Sequence, residues 1–261
     1  MTYLNPQANP KLNTRQIRAF KKTTANRNLQ MLTCYDFQTA QLLNDTNLDL
    51  ILIGDSLGNV VLGYDYTIEV STDTMVLFSK AVKKGAPNKF VIADLPFGSY
   101  ASMELGLANS IKLFQQSGVE ALKLEGAYPY ELQLIERLTQ IGIPVMGHIG
   151  LTPQSVHEQG GYFTHGKDER SQEKLMIEAL ALEAAGCFAI VLEFVEETFA
   201  KKITDKLKIP TIGIGSGVET DGQVLVINDL LHLGKKAPPK FCKPIANLYQ
   251  TKKQLIDDYL N

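Results

Sequence analysis

Short apolar runs rich in β-branched residues alternate with amphipathic segments along nearly the whole chain. Such alternation is typical of β-strands and helices arranged around a parallel sheet. The runs comprise residues 30–35, 48–54, 89–95, 120–126, 144–150, 188–194, 210–217 and 223–229. Because eight strand–helix units close a (β/α)8 barrel, we predict an α/β protein with the TIM barrel fold.

Chain length and the lack of an internal boundary support the same prediction. The chain has 261 residues, close to the ~250 residues typical of one such barrel. No Gly/Ser-rich or Pro-rich linker separates the units, and no low-complexity tract or strict repeat occurs. We therefore expect residues 1–261 to form a single barrel domain with a short N-terminal helix and a core of about residues 28–243.

Two of the intervening segments show clear helical patterns. Residues 71–85 begin with a capping serine and end with two lysines before a glycine, which predicts a helix. In the next segment, Leu107, Ile111 and Phe114 stand at helical spacing before a glycine. That spacing predicts a helix that buries these three side chains against the sheet.

Charge and cysteine content exclude several classes of function. Lys and Arg number 26 against 28 Asp and Glu, so no strong net charge favours nucleic acid or an anionic membrane. The cysteines Cys34, Cys187 and Cys242 form no CxxC pair, which argues against a disulfide framework or a structural zinc site. No segment has the length and apolarity of a signal peptide or a membrane span. We expect a cytoplasmic protein with neither nucleic-acid nor membrane partners.

Polar side chains end almost every run, where the active sites of such barrels lie. These residues are Asp36, Asp55, Asp94, Glu125, His148, Glu193, Ser216 and the pair Asn228 and Asp229. Asp55, Asp94 and Glu125 end consecutive strands, so we expect their carboxylates to converge. Carboxylates in close proximity repel unless protons or a cation lie among them, and the absence of accompanying Cys and paired His favours Mg²⁺. The alternative is that each aspartate caps the helix that follows it.

Three further residues are candidates for chemistry. Lys123 lies two residues before Glu125, so both side chains share one face of their strand. Because helices cover the outer face, we expect Lys123 inside the barrel, where it neutralises carboxylates, holds an anionic substrate or forms a structural ion pair. Glu193 interrupts an apolar run and is the candidate proton acceptor. His148 belongs either to the site or to the core.

Two connections are longer than ordinary βα loops, residues 57–70 and 151–170. Long loops in compact domains are usually functional or disordered, and both of these follow the carboxyl end of a strand. We interpret the second as a lid or binding loop, with a plain insertion as the alternative.

Several longer motifs occur in a fixed order between about residues 12 and 243. They are GDSLG (54–58), ADLPF (93–97), KLEG (123–126), GHIGLTPQSV (147–156), GGY (160–162), LEAAG (182–186), IPTIGIGSG (209–217) and TDGQVLV (220–226). In this order they resemble the ketopantoate hydroxymethyltransferase family, also called 3-methyl-2-oxobutanoate hydroxymethyltransferases. The chain departs from the common family pattern at residues 63–67, GYDYT rather than GHDST, and at residues 163–167, FTHGK rather than KVQGR.

The resemblance implies a (β/α)8 barrel enzyme of pantothenate biosynthesis. Its reaction transfers a hydroxymethyl group from the co-substrate 5,10-methylenetetrahydrofolate to 3-methyl-2-oxobutanoate. The reaction passes through a Mg²⁺-stabilised enolate and gives 2-dehydropantoate (ketopantoate). A homo-oligomer, commonly a decamer, is implied as well. The only implied partners are the small-molecule 2-oxo acid and the folate.

The resemblance also implies roles for individual residues. Asp55, Asp94 and Glu125 match the metal positions, and Glu193 matches the catalytic base. The keto-acid positions are Asp55, Ser56, Asp94 and Lys123, to which the analysis of strand ends adds His148 as a candidate.

Three alternatives stay open at this point. A Mg²⁺-dependent C–C lyase of the phosphoenolpyruvate mutase and isocitrate lyase type would also chelate a 2-oxo acid, but it would need no folate. A Schiff-base aldolase could use Lys123, although the neighbouring carboxylates would keep its amine protonated. A catalytically silent ligand-binding barrel is the third alternative, because a fold alone does not guarantee activity.

Overall fold

A computed structural model describes residues 10–261 and contains the closed barrel that the sequence predicts. Eight parallel strands follow one another around the barrel in chain order, and β8 pairs with β1. The strands are β1 (Leu29–Thr33), β2 (Leu50–Ile53), β3 (Phe90–Asp94), β4 (Ala121–Glu125), β5 (Val145–Gly150), β6 (Ala189–Glu193), β7 (Thr211–Ile214) and β8 (Gly222–Leu225). Each strand lies within one predicted run except at β1 and β8, which begin one residue earlier. The last run ends as a helix.

Helices alternate with the strands and cover the outside of the barrel. They are α1 (Thr14–Arg18), α2 (Lys22–Ala25), α3 (Phe37–Asn44), α4 (Thr72–Gly85), α5 (Met103–Ser117), α6 (Pro129–Gln140), α7 (Val156–Gln159), α8 (Glu169–Ala184), α9 (Glu197–Lys206), α10 (Ile227–Leu230) and α11 (Leu248–Leu260). A π-helix (Gly58–Leu62) and a 3₁₀ helix (Thr67–Glu69) lie between β2 and α4, and another 3₁₀ helix (Pro153–Ser155) precedes α7. From residue 10 to residue 261, no helix is both long and apolar enough to cross a membrane.

The predicted helix over residues 71–85 is confirmed as α4, and the Ser71 side chain accepts a hydrogen bond from the Thr74 amide at its start. The predicted buried face of α5 is right in part, because Leu107 and Phe114 are half-buried and pack against the core. Its buried positions include Gly106, Ser110 and Leu113, whereas Ile111 is exposed. Small residues face inward because the helix lies close to its neighbours, and a Cβ on Gly106 would come within 2.7 Å of a Leu134 methyl carbon.

Two hydrophobic layers hold the barrel together. One lies between the strands and the surrounding helices, and the other fills the lower part of the barrel interior. In the interior layer, Phe90 and Phe188 pack edge to face with ring centroids 5.8 Å apart. Ile17 of α1 is fully buried in the same layer and closes the amino-terminal end of the barrel. The sequence predicts one short N-terminal helix, and residues 10–28 contain two, of which α1 closes the end of the barrel.

Side chains inside the barrel change from apolar to charged along the strand direction. Ile92 belongs to the buried interior layer and is followed on the same face by Asp94, and Ala121 is followed by Lys123. The period of two along a strand puts these side chains on one face. The charged ends of several strands therefore meet at the carboxyl-terminal mouth, which is where barrel enzymes place their active sites.

Candidate active site

The predicted site residues converge on one cavity of about 480 Å³ at the carboxyl-terminal mouth. This mouth cavity is lined by Asp55, Ser56, Asp94, Lys123, Glu125, His148 and Glu193, together with mostly apolar residues. Strand register explains the convergence, because Asp94 pairs with Lys123 and Glu125 pairs with His148 across neighbouring strands. Four carboxylates thus share a small space with two basic side chains.

A tight turn after β2 places Asp55 beside Asp94. The Asp55 amide donates a hydrogen bond of 3.1 Å to Asp94 Oδ2. A Cβ on Gly54 would lie 2.8 Å from Ser56 Oγ, so any larger residue at this position would displace that hydroxyl. Ser56 Oγ lies 2.8 Å from the hydroxyl of Tyr35, which is buried under the turn. Residues 54–56 are therefore held by Asp94 on one side and by Tyr35 on the other.

Lys123 is buried and lies among carboxylates, as its position in the strand predicts. Its Nζ is 3.1 Å from Asp94 Oδ1 and 4.0 Å from Glu125 Oε1. Burial alone would lower the pKa of Lys123, but the charges of Asp94, Glu125 and Asp55 outweigh it and raise that pKa. The amine is consequently protonated at neutral pH, which disfavours its use as a Schiff-base nucleophile.

His148 of β5 lies between two carboxylates that come from the neighbouring strands β4 and β6. Its Nδ1 lies 3.3 Å from Glu125 Oε1, and its Nε2 lies 3.3 Å from Glu193 Oε2. Burial and the charge of Lys123 lower the pKa of His148, but Glu125 and Glu193 raise it further, to about 9. The structure therefore places His148 at the mouth cavity between β4 and β6, with Lys123 Nζ 3.2 Å from its Nδ1.

Asp55 and Asp94 carry negative charge that the protein balances only in part. Burial, and then the charges of Asp94 and Glu125, raise the pKa of Asp55 well above its usual range. Burial also raises the pKa of Asp94, although Lys123 opposes this effect. The pKa of Glu125 is lowered instead, because the effects of His148 and Lys123 on it are larger than the effect of burial. The pair of aspartates is the part of the site that most needs a further positive charge.

The chemistry of the donor set fits a hard divalent cation. Asp94 Oδ1 is buried and receives no well-directed hydrogen bond, although Lys123 lies near it. Within residues 10–261, no three His, Cys, Asp or Glu side chains are arranged so that they could all hold one metal ion. Mg²⁺ does not require such a cage, because it is commonly bound by one or two carboxylates and completes its shell with water and substrate oxygens. The residues present fit Mg²⁺ at Asp55 and Asp94.

Gln154, from the loop after β5, connects the carboxylates, and sequence reasoning did not select it. Its Nε2 donates hydrogen bonds to Asp55 Oδ2 at 2.8 Å and to the Leu95 carbonyl at 2.9 Å. Its backbone amide donates to Glu125 Oε2 at 3.1 Å, and its Oε1 accepts from the Tyr100 hydroxyl at 2.8 Å. The signal in the sequence is weak, since Gln154 lies in a loop and follows no periodic pattern.

The backbone after Glu193 is held in a rare conformation. Phe194 has a φ of 48°, in the left-handed region that favours glycine. The Leu151 amide donates to the Glu193 carbonyl at 2.8 Å, and the His165 amide donates to the Phe194 carbonyl at 2.7 Å. The loop over residues 151–170 is therefore fixed at both ends to the strand that carries Glu193, while its middle includes the exposed Tyr162.

Three of the other polar strand ends have structural roles or lie elsewhere. Asp36 caps α3 by accepting a hydrogen bond from the Thr39 amide, so the capping alternative holds there. Ser216 is buried and donates to the Leu192 carbonyl. Asp229 lies on α10 rather than at the end of β8, but it lines the mouth cavity.

Comparison with known proteins identifies sequence relatives over nearly the whole chain. The profile of the family described as ketopantoate hydroxymethyltransferase matches residues 11–261. A 3-methyl-2-oxobutanoate hydroxymethyltransferase of Leptospira interrogans is 47% identical over 88% of this chain and 88% of its own length. One from Geobacillus sp. is 48% identical, over 92% of this chain and 86% of its own length.

Solved structures with the same fold are much more distant in sequence. A phosphonopyruvate hydrolase, solved in complex with oxalate and Mg²⁺, has a TM-score of 0.61, 13% identity and coverage of 82% of this chain and 81% of its own. A phosphoenolpyruvate phosphomutase of Streptomyces platensis has a TM-score of 0.62, 12% identity and coverage of 95% and 85%. At these identities the likeness concerns the fold alone.

Proposed function

The chain belongs to the ketopantoate hydroxymethyltransferase family, and we propose that it transfers a hydroxymethyl group from 5,10-methylenetetrahydrofolate to 3-methyl-2-oxobutanoate. The product would be 2-dehydropantoate, as in pantothenate synthesis. One observation carries this proposal, namely that the candidate cation ligands, a protonated lysine and the glutamate that ends β6 line one small cavity. The cytoplasmic location and the homo-oligomer implied by the family resemblance stay predictions.

The aspartate side of the cavity suits the carboxylate and keto oxygens of the 2-oxo acid. Asp55 and Asp94 would hold Mg²⁺, with Glu125 as the third proposed ligand, either directly or through water. Mg²⁺ bound there would polarise the keto group and make the proton on C3 more acidic. Lys123 and Ser56 supply hydrogen-bond donors to the anionic substrate, and Lys123 is already charged in the protein alone.

Glu193 would remove the C3 proton. It lines the same cavity from β6, on the other side of His148 from Glu125. His148 Nε2 lies 3.3 Å from Glu193 Oε2, and the other carboxylate oxygen of Glu193 would take up the proton. The carbanion formed at C3 would then bond to the methylene carbon of the folate. Both bonds from that carbon to the folate nitrogens break in the transfer, water supplies the hydroxyl oxygen of the product, and tetrahydrofolate leaves with the proton that its nitrogen takes up.

An assay of product formation tests the proposal. Purified protein is incubated with 3-methyl-2-oxobutanoate, with or without 5,10-methylenetetrahydrofolate, and in Mg²⁺ or EDTA. We expect ketopantoate only when folate and Mg²⁺ are both present. Cleavage of the 2-oxo acid without folate would instead indicate the lyase chemistry that the sequence left open, and would contradict the proposed transfer.

A further inference from the structure

The mouth cavity extends beyond the residues that a small 2-oxo acid can contact. Its volume of about 480 Å³ lies in the range of sites that hold drug-sized ligands. Apart from the charged residues already described, the cavity wall is mainly apolar and aromatic. This part of the wall, which we call the outer wall, comprises Val60, Tyr162, Phe194, Val226, Pro239 and Phe241. A second and larger ligand portion, apolar and planar in character, suits this space.

A single carboxylate interrupts the outer wall. Asp229 of α10 lines the cavity next to these residues and is partly buried. Burial raises the pKa of Asp229, and the charge of His232 opposes this effect. No hydrogen bond from residues 10–261 to the Asp229 carboxylate offsets the cost of burying its charge. A half-buried carboxylate that faces a cavity without protein donors is suited to accept hydrogen bonds from a ligand.

Two aromatic rings lie in the same wall in a fixed arrangement. Phe194 and Phe241 pack edge to face, with ring centroids 5.2 Å apart and an interplanar angle of 88°. Phe194 keeps its left-handed backbone while its amide donates to the Ile214 carbonyl at 2.9 Å. Backbone strain of this kind is found most often at active sites and ligand clamps. The ring of Phe194 is therefore held in place directly beside the proposed base.

We propose that Asp229, Phe194 and Phe241 form the subsite for the pterin ring of the folate co-substrate. This inference rests on the proposed function. A pterin carries a ring N–H and an exocyclic amino group side by side, so it can donate two parallel hydrogen bonds to a carboxylate, as a guanidinium does. Its flat ring packs on aromatic side chains. The methylene carbon must reach C3 of the keto acid near Glu193, which lines this cavity.

A neighbouring cavity of about 890 Å³ offers a rival location. It contains Tyr128, Tyr130 and Glu131, whose buried Oε2 has no hydrogen-bond partner. However, neither Lys123 nor Glu193 lines this second cavity, which shares only Glu125 with the mouth cavity. A folate bound there would lie away from the base. Glu131 is thus a matched carboxylate against which Asp229 can be compared.

Binding of tetrahydrofolate, which lacks the one-carbon unit, tests the subsite. Calorimetry with saturating keto acid and Mg²⁺ compares wild type, Asp229→Asn and Glu131→Gln. We expect Asp229→Asn to weaken tetrahydrofolate binding by about 10- to 100-fold, the usual effect of losing charge-assisted hydrogen bonds. Glu131→Gln should bind tetrahydrofolate as the wild type does. As a second variant, Phe241→Leu should weaken binding by about 2- to 10-fold through loss of aromatic packing.

Keto-acid affinity separates a folate subsite from a general structural effect. It is measured in Mg²⁺ without folate, and Asp229→Asn should leave it within about twofold of wild type if Asp229 contacts only the folate. Equal tetrahydrofolate binding by Asp229→Asn and wild type would overturn the subsite, as would a loss seen only in Glu131→Gln. If the wild type itself failed to bind tetrahydrofolate, the folate-dependent function would fall together with the subsite.

Discussion

Gln154→Leu is the substitution that most directly tests how the candidate site is held together. Leucine keeps much of the volume but removes both side-chain polar atoms. The change leaves two buried acceptors, Asp55 Oδ2 and the Leu95 carbonyl, without a hydrogen-bond donor. In the wild type the Gln154 side-chain amide donates to them at 2.8 and 2.9 Å. The Tyr100 hydroxyl can still donate to the Glu125 carbonyl, 3.4 Å away. Losing its hydrogen bond to Gln154 therefore costs less than the loss of the other two.

The expected loss of stability follows from these contacts. An unsatisfied buried acceptor costs about 1–3 kcal/mol, and more when it is charged. Two acceptors without donors should lower the free energy of unfolding by about 2–4 kcal/mol. Local relaxation and protonation of Asp55 keep the loss below the full sum. Urea denaturation in EDTA measures this value. Tyr100→Phe is the matched control, because it removes one hydrogen bond to Gln154 but none from Asp55, and should cost about 1 kcal/mol.

Metal affinity supplies a readout that loss of packing alone would not change. Residues that orient metal ligands typically contribute about 10- to 100-fold to affinity. We therefore expect calorimetry to show Mg²⁺ binding weakened by about this factor in Gln154→Leu, and by much less in Tyr100→Phe. Wild-type stability together with wild-type Mg²⁺ affinity in Gln154→Leu would refute the reasoning, because Gln154 would then orient neither carboxylate.

Four other predictions concern the same cavity. Glu193→Gln should slow folate-independent exchange of the C3 proton into deuterated water by about 10²–10⁴-fold, the usual contribution of a general base, and wild-type exchange would remove Glu193 from that role. Lys123→Met should raise the KM for the keto acid by about 10- to 100-fold through loss of a charge-assisted contact, and an unchanged KM would make Lys123 purely structural. His148 has a pKa raised from 6.5 to about 9, so the stability it contributes is complete below pH 6.5 and lost as the pH rises through about 9. In urea denaturation with EDTA, wild type should lose up to about 3 kcal/mol over that range, and a His148→Asn variant showing the same slope would contradict the assignment. Backbone amides of residues 151–170 should exchange more slowly with keto acid and Mg²⁺ bound, and identical exchange with and without ligands would argue against a lid.

The barrel and most of the candidate site follow from strand periodicity alone. Lys123 and Glu125 share a face because they are two residues apart, and the structure shows both buried side chains at the mouth cavity. The same logic applies to Glu193, which ends an apolar strand. These predictions depend only on the local backbone of a strand and on the fact that helices cover its outer face.

Local rules of this kind do not show whether an aspartate after a strand caps the next helix or belongs to the site. Asp36 and Asp55 both come directly after a β-run, yet Asp36 caps α3 whereas Asp55 turns inward to Asp94. What separates them is the next few residues. After Asp36 a regular helix begins at once and presents free amides, whereas Gly54 and Ser56 form a tight turn around Asp55. Capping statistics favour the same residue type in both places, so only the tertiary structure decides.

Gln154 and Asp229 show a different limit, which concerns loops. Gln154 belongs to no periodic pattern, and Asp229, which the sequence places at the end of a strand run, lies instead on α10. Each reaches the cavity through a connection whose path depends on the rest of the barrel. Gln154 is positioned by a 3₁₀ turn that follows β5, and its amide meets Asp55, from 99 residues earlier in the chain. Polar contacts of such sequence separation have no local signature. In a barrel whose strands supply the reactive groups, the residues that orient those groups and recognise a second substrate are therefore the ones that require the three-dimensional structure.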